Sequence, residues 1–422
     1  MRANLLAALI GMLCVVGCGG GGSSINGGGS GGGGNSGSNV QSVSVDAGPT
    51  AIANSNSPAV NTLYTQVTVC VPGTSNCQTI DHIQVDTGSS GLRIISTELS
   101  LNLTVQTQNG SALAECVRFV DGSSWGSVRL ADIKIAGELA SNQPIQIIGD
   151  PAYTIPSACS GTGTVEDTVA EFGAKGILGV GPFISDCGSA CTAVGNRTYY
   201  TCASSNNCLE TTLAVAAQVS NPVAAFTTDN NGVIITLPTV SNTGQQSASG
   251  SLTFGIGTQS NNGLGNARVM TVDSNQGAFE TDFNSKQLKQ SFIDSGSNAL
   301  YFPDDAIPVC GANGQSSIAP GFFCPSGTLN LSATLVSSTG STISTINFSV
   351  ANAETLFSTS SPISAVATLA GSSVTVSSGN TGDAFDGSNT FDWGLPFYFG
   401  RTVITAIETR NTSGGMGPYF AF

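Results

Sequence analysis

Ile83-Gln84-Val85-Asp86-Thr87-Gly88-Ser89-Ser90-Gly91-Leu92 and Phe292-Ile293-Asp294-Ser295-Gly296-Ser297-Asn298-Ala299-Leu300 are two copies of one phrase. Each is an apolar strand that runs into Asp-Thr/Ser-Gly-Ser, passes two small residues and ends on Leu. A second phrase follows each copy at a similar distance. In the first half it is Gly176-Ile177-Leu178-Gly179-Val180-Gly181-Pro182-Phe183, and in the second Phe391-Asp392-Trp393-Gly394-Leu395-Pro396-Phe397. A lone Asp-Thr-Gly is an ordinary loop string. Two paired phrases in the same order indicate two related lobes, each contributing one carboxylate. A chain of 422 residues is also too long for one ordinary core.

Outward from these loops the text reads as β. Leu63–Val71, Ile80–Val85, Ser127–Ile135, Pro144–Ile148, Gly232–Leu237 and Ser251–Ile256 are short runs rich in Val, Ile and Thr. They are bounded by Gly, Asn, Ser and Pro, as strands are. One helix is expected over Glu210–Val219, with short helical turns after Pro303 and Ala353. The fold class is therefore all-β.

Composition narrows the chemistry. Twelve Lys and Arg stand against 26 Asp and Glu, a formal charge of −14, which excludes a nucleic-acid binder. His82 is the single histidine, so a multi-histidine metal site is impossible and any hydrolysis falls to carboxylates. His82 itself reads as a structural or surface residue. Leaving out Cys14 and Cys18, ten of the 12 cysteines remain, an even number that suits five disulfides in an oxidising compartment. Cys70 and Cys77 flank a hairpin-tip composition and are expected to bridge, as are Cys310 and Cys324 around a Gly/Pro loop. Cys116, Cys159, Cys187, Cys191, Cys202 and Cys208 would form three further bridges of open pairing. A zinc site on the last four is the weaker reading.

The chain resembles the pepsin-like aspartic peptidases from about residue 60 to its end. In that family each lobe gives one Asp-Thr/Ser-Gly loop, the loops meet on a pseudo-twofold axis, and the apolar-Gly segments pass beneath them. The resemblance implies a bilobal pepsin-like fold, with a first lobe over residues 46–228 and a second over 229–422. It makes Asp86 and Asp294 a catalytic dyad acting on a peptide or protein substrate. Thr87, Gly88, Ser89, Ser295, Gly296 and Ser297 would support the dyad. One ionised Asp would take a proton from a water held between the two, and the other, protonated, would polarise the carbonyl. No cofactor and no metal are implied, and a monomer is expected.

Two departures stand out. The string from Phe119 through Gly122 to Trp125 resembles the family's flap, but the flap tyrosine is Phe119, and the tryptophan that would bond to it falls at Arg93. Phe119 or Trp125 could cover the cleft instead, although Trp125 reads first as a packed hairpin aromatic. Arg93 would pair with a carboxylate, usually a surface matter. Cys18 to Val45 carries no basic plug of the kind that family prosegments use. The competing class is a non-catalytic cell-surface binding protein that keeps the cleft.

The N-terminus adds a location. Arg2 and the apolar run Leu5–Val16 form a signal peptide over residues 1–17, ending in Val15-Val16-Gly17-Cys18, which resembles a lipobox. A Gly/Ser-rich tether over 18–45 follows. The expectation is a lipoprotein of the bacterial cell envelope, held on the outer membrane through Cys18 alone. Each buried acyl CH₂ contributes about 0.8 kcal/mol, so Cys18→Ser should move the protein from the membrane pellet to the soluble fraction. Equal retention of the variant on fractionation would count against the anchor.

Overall fold

A computed structural model describes residues 39–422 apart from 56, 120–121, 161–163, 313–314, 360–361 and 375–386. Cys18 and the rest of the chain before residue 39 lie outside the described residues. Among the described residues, no helix is long and apolar enough to cross a membrane.

The first lobe starts from a hairpin. Leu63–Cys70 pairs antiparallel with Cys77–Asp86, and the Cys70–Cys77 disulfide closes the turn. The chain then makes the first Asp loop and returns as Ser90–Ile95, every residue of which is buried. Gly176–Val180 lies between these two strands. It runs parallel to Cys77–Asp86, with Gly179 opposite Asp86, and antiparallel to Ser90–Ile95, with Gly179 opposite Gly91. Ser90–Ile95 in turn pairs parallel with Glu138–Ile148. A methyl on Gly179 would stand 2.6 Å from the Ser90 nitrogen, so the sequence Gly-Ile-Leu-Gly is what lets the strand thread this gap.

The second lobe repeats the pattern. Asp392–Trp393 runs parallel to Lys286–Ile293 and antiparallel to Leu300–Phe302, which pairs parallel with Ala370–Ser372. A methyl on Gly394 would meet the Ala299 carbonyl and come within 2.7 Å of the Ser297 carbonyl. The core of this lobe is aromatic: Phe391 stacks on Trp393 at 4.1 Å and on Phe302 at 4.8 Å. The fold is the all-β, bilobal arrangement that the resemblance implies, with the duplication visible strand by strand.

A third, antiparallel sheet joins the lobes. Its order is Val40–Val45, Ala248–Phe254, Gly232–Thr236, Thr402–Ala406, Tyr419–Ala421 and Val269–Thr271. Val45, Leu252, Val233, Val403 and Phe420 feed one apolar core that runs from Val67 in the first lobe to Trp393 in the second. Val40–Val45, which composition alone assigns to the tether, is thus a strand. Its alternation of buried and exposed residues explains why it pairs.

The helix expected over Glu210–Val219 is absent. Asn207–Glu210 is a strand, the Thr211 and Leu213 amides donate to the carbonyls of Tyr199 and Cys191, and only Val215–Ala217 forms a 3₁₀ turn. Cross-chain bonds outcompete a helical pattern shortened by Thr211 and Thr212. The turn at Ala353–Phe357 is helical, capped by Asn352. The cysteines form five disulfides: Cys70–Cys77, Cys116–Cys159, Cys187–Cys191, Cys202–Cys208 and Cys310–Cys324. The weaker zinc reading of Cys187, Cys191, Cys202 and Cys208 is thereby set aside.

Because Gly179 and Gly394 face backbone rather than a movable side chain, Gly179→Ala and Gly394→Ala should each lower stability by about 3 kcal/mol or prevent folding. Chemical denaturation of the purified variants checks this, with Gly73→Ala, whose methyl would meet nothing within 4 Å, as a milder comparison.

Candidate functional site

The two Asp loops meet where the lobes meet. The Thr87 amide donates to Ser295 Oγ at 3.1 Å, and the Ser295 amide donates to Thr87 Oγ1 at 2.9 Å. Ser295 Oγ also donates to the Val85 carbonyl at 2.9 Å. Tyr398 Oη lies 2.8 Å from Thr87 Oγ1, and Gln84 Nε2 reaches the Gly296 carbonyl at 3.0 Å. These bonds hold the turns in register.

Within each loop the carboxylate is gripped by its own turn. The Gly88 amide donates to Asp86 Oδ1 at 2.7 Å and the Ser89 hydroxyl to Asp86 Oδ2. The Gly296 amide donates to Asp294 Oδ1 at 2.7 Å and the Ser297 hydroxyl to Asp294 Oδ2 at 2.9 Å. A methyl on Gly88 would stand 2.7 Å from Asp294 Cγ, and one on Gly296 would stand 2.5 Å from Asp86 Oδ1. Each carboxyl therefore packs on the opposite loop's glycine, and only glycine permits that approach. All eight loop residues expected to form and support a dyad are brought together.

Both aspartates are buried. Burial and the facing Asp294 charge push the Asp86 carboxyl well above the ordinary carboxylate range. Burial raises Asp294 too, but its bonds to Asp86, Gly296, Ser297 and Gly88 favour the ionised form. Asp86 is thus the member whose protonated form is favoured more strongly, and the two titrate as a unit.

The stretch expected to serve as a flap, from Phe119 through Gly122 to Trp125, belongs to a packed hairpin. Ser111–Arg118 and Gly122–Ile135 form the hairpin, closed by the Phe119 amide donating to the Gly122 carbonyl at 2.8 Å. The tip, Val120 and Asp121, lies outside the described residues. Phe119 is buried edge-on against Phe172 at 5.8 Å. Trp125 is a packed hairpin aromatic and not a cover: its ring meets Tyr200 at 5.2 Å and its Nε1 donates to the Tyr153 carbonyl.

Arg93 corrects the surface expectation, because it is fully buried. It donates to Glu115 Oε1 at 2.9 Å and Asp186 Oδ2 at 3.0 Å, and Tyr199 Oη donates to Asp186 as well. Glu115 sits on Ser111–Arg118, the first strand of this hairpin, so the ion pair ties the strand after the Asp86 loop to the hairpin. Burial and the Glu115 charge raise Asp186 well above the ordinary range. His82 is half-exposed between Asp81 and Asp46, and the Asp46 hydrogen bond holds its imidazole above the usual value.

Sequence reading missed three participants. Tyr398 bonds Thr87. Asn61, buried at a φ of 53°, pins the segment before the first strand to Asn298 and Val366 of the second lobe. Asp392, buried beneath the second loop, carries a further carboxyl against Ser297. A lone acid inside an apolar-Gly run was the available signal for Asp392. Beside the loops lies a cavity of about 350 Å³ lined by Gln84, Gly296, Ile52, Phe172, Phe322 and Phe357 among others, and no charged residue lines it.

One guanidinium neutralises part of two buried carboxylates, so Arg93→Leu should cost about 3–5 kcal/mol at neutral pH. The loss should shrink toward pH 4, because burial and the Glu115 charge favour the protonated form of Asp186. Urea unfolding at both pH values checks the size and the sign.

Among curated proteins, no sequence relative matches the chain. Among solved structures, the chain is similar to the crystal structure of an aspartic proteinase from Irpex lacteus, with a TM-score of 0.47 and 15% identity over 90% of this chain and 96% of that one. The fold itself rests on the strand pairings of this chain. The family profile described as "Protein of unknown function (DUF3443)" matches residues 35–422, a span that includes all of the described residues, and the chain belongs to that family.

Proposed function

We propose that the chain is an aspartic endopeptidase of the cell envelope, hydrolysing peptide bonds with Asp86 and Asp294. One observation carries the reading: two buried carboxyls, one from each lobe, are held against each other by matching sets of donors. Structural turns need no such pair, and keeping it costs stability. The chemistry follows from the proton's place. Ionised Asp294 takes a proton from a water lying between the carboxyls as its oxygen bonds to the carbonyl carbon. Protonated Asp86 donates to the carbonyl oxygen and stabilises the charge that develops there. The tetrahedral intermediate then collapses: the C–N bond breaks as Asp294 passes its proton to the leaving nitrogen, and a hydroxyl of the intermediate returns a proton to Asp86 as the carbonyl re-forms. The uncharged cavity beside Gly296 suits an apolar substrate side chain. Anchoring through Cys18 would present this site outside the cell membrane.

The absent flap hydroxyl at Phe119 and the ion pair at Arg93 favour a second reading, a protein that binds peptides in the cleft without cutting them. Assay separates the two. Wild type should digest a denatured protein with a bell-shaped pH profile, losing activity as rising pH removes the Asp86 proton. Asp86→Asn and Asp294→Asn should each lower kcat by about a thousandfold or more while keeping the fold. Saturable peptide binding by a wild type that cleaves nothing between pH 3 and 7 would favour the binding protein.

A further inference from the structure

Asp392 is an acid where the pattern calls for an apolar residue. It stands on Asp392–Trp393, the strand beneath the second loop, opposite Phe292 on one side and Tyr301 on the other. Its neighbours Phe391 and Trp393 stack on each other in the lobe's aromatic core. By strand alternation its own side chain points to the other face, where it meets Ser297 and feels the Asp294 charge. The backbone fixes this placement on both sides, because the Asp294 amide donates to the Trp393 carbonyl at 3.1 Å and the Leu395 amide to the Ser297 carbonyl at 2.7 Å. Asp392 is 3% exposed, and its Oδ1 has no hydrogen-bond partner.

A hydroxyl has one proton to give. Ser297 gives it to Asp294 Oδ2. The oxygen of Asp392 that faces Ser297 must then bring a proton of its own, or the two acceptors compete for one donor. An ionised Asp392 would also leave a bare buried oxygen next to Asp294, and no arginine or lysine acts on it among the described residues. The other titratable groups facing this spot are Asp86 across the dyad and the Tyr398 hydroxyl, which feels all three acids, together with Tyr301 at the paired position. None supplies a positive charge.

We propose that Asp392 is a positioning residue of the dyad: a neutral carboxylic acid that donates to Ser297 Oγ and so keeps the Ser297 proton aimed at Asp294. The chain Asp392–Ser297–Asp294 then runs in one direction, and it holds Asp294 as the ionised member of the pair. Burial and the Asp294 charge both favour the neutral form of Asp392. The sign follows. A folded-state value above the unfolded one gives stability that is complete at acid pH and lost as pH rises through the folded value. D392N removes that loss, because its amide can still donate to Ser297 and never ionises.

The test is a double-mutant cycle on unfolding equilibria from pH 3 to 8, with wild type, D392N, D294N and D294N/D392N. At pH 7, D392N should raise the folding equilibrium constant about tenfold for each unit by which Asp392 is raised. The gain should vanish by about pH 4 and shrink severalfold in the D294N background. A D392N protein less stable than wild type at pH 7, a gain independent of pH, or an equal gain in both backgrounds would overturn the proposal. The kinetic arm rests on the peptidase reading. D392L should lower kcat about tenfold with little change in KM, and D392N should restore most of it. The cycle needs no activity, so an inactive wild type unseats the peptidase reading alone, whereas an uncoupled cycle unseats the role of Asp392 whatever the activity.

Discussion

Two carboxyls buried against each other repel unless a frame holds them, and here the frame is the reciprocal pair of bonds between Thr87 and Ser295. Each bond joins a backbone amide of one lobe to a hydroxyl of the other, so neither loop can settle without its partner. The rest of the architecture serves that meeting. The threaded strands at Gly176–Val180 and Asp392–Trp393 support each loop from below, and the joining sheet sets the distance between lobes. Glycine at 88 and 296 then lets the two acids close the last gap.

Around this centre the chain buries ionisable groups, some paired and some neutral. Arg93, Glu115 and Asp186 stand buried on the flap side, and Asp392 stands buried on the far side. Buried ions are weak sources of stability but strict about geometry, since every misplacement exposes an unpaired charge. The flap hairpin is thus tied to the Asp86 loop by a bidirectional ion pair, Glu115–Arg93–Asp186, and not by a single neutral bond. A formal charge of −14 fits such a chain, because its acids are spent partly inside.

The duplicated phrases made the lobes and all eight loop residues legible, because a sharp turn carrying a carboxylate needs particular residue types at fixed offsets. The five disulfides could be counted from cysteine parity, and two pairings could be read from the short Gly/Pro loops between Cys70 and Cys77 and between Cys310 and Cys324. What stayed hidden depends on long-range packing. Nothing local says that Arg93 lies inside, since its partners come from elsewhere: Glu115 from a distant strand and Asp186 from a distant loop. Val40–Val45 follows a Gly/Ser tract and is read as its tail until Ala248–Phe254 is seen beside it. Glu210–Val219 has a helical pattern, and only its neighbours' carbonyls overrule it. The chemical signal of Asp392 was present, but its meaning required Ser297 in space.

The joining sheet also imposes an order on folding. Val40–Val45 is the first described strand to leave the ribosome, yet its longer pairing, with Ala248–Phe254, lies far down the chain: Asn39 Nδ2 bonds the Phe254 carbonyl across 215 residues. Further along the sheet, Tyr419–Ala421 closes against Thr402–Ala406 at the very end of the chain. Contacts of such separation close slowly, since their loop entropy is lost before they are rewarded. The first strand has only the short pairing of Ser44 and Val45 with Tyr64 and Leu63 while the two lobes gather around their own loops, and the sheet between them is completed only once residues 402–421 are present. The dyad, which needs both lobes in register, is among the last features the molecule acquires.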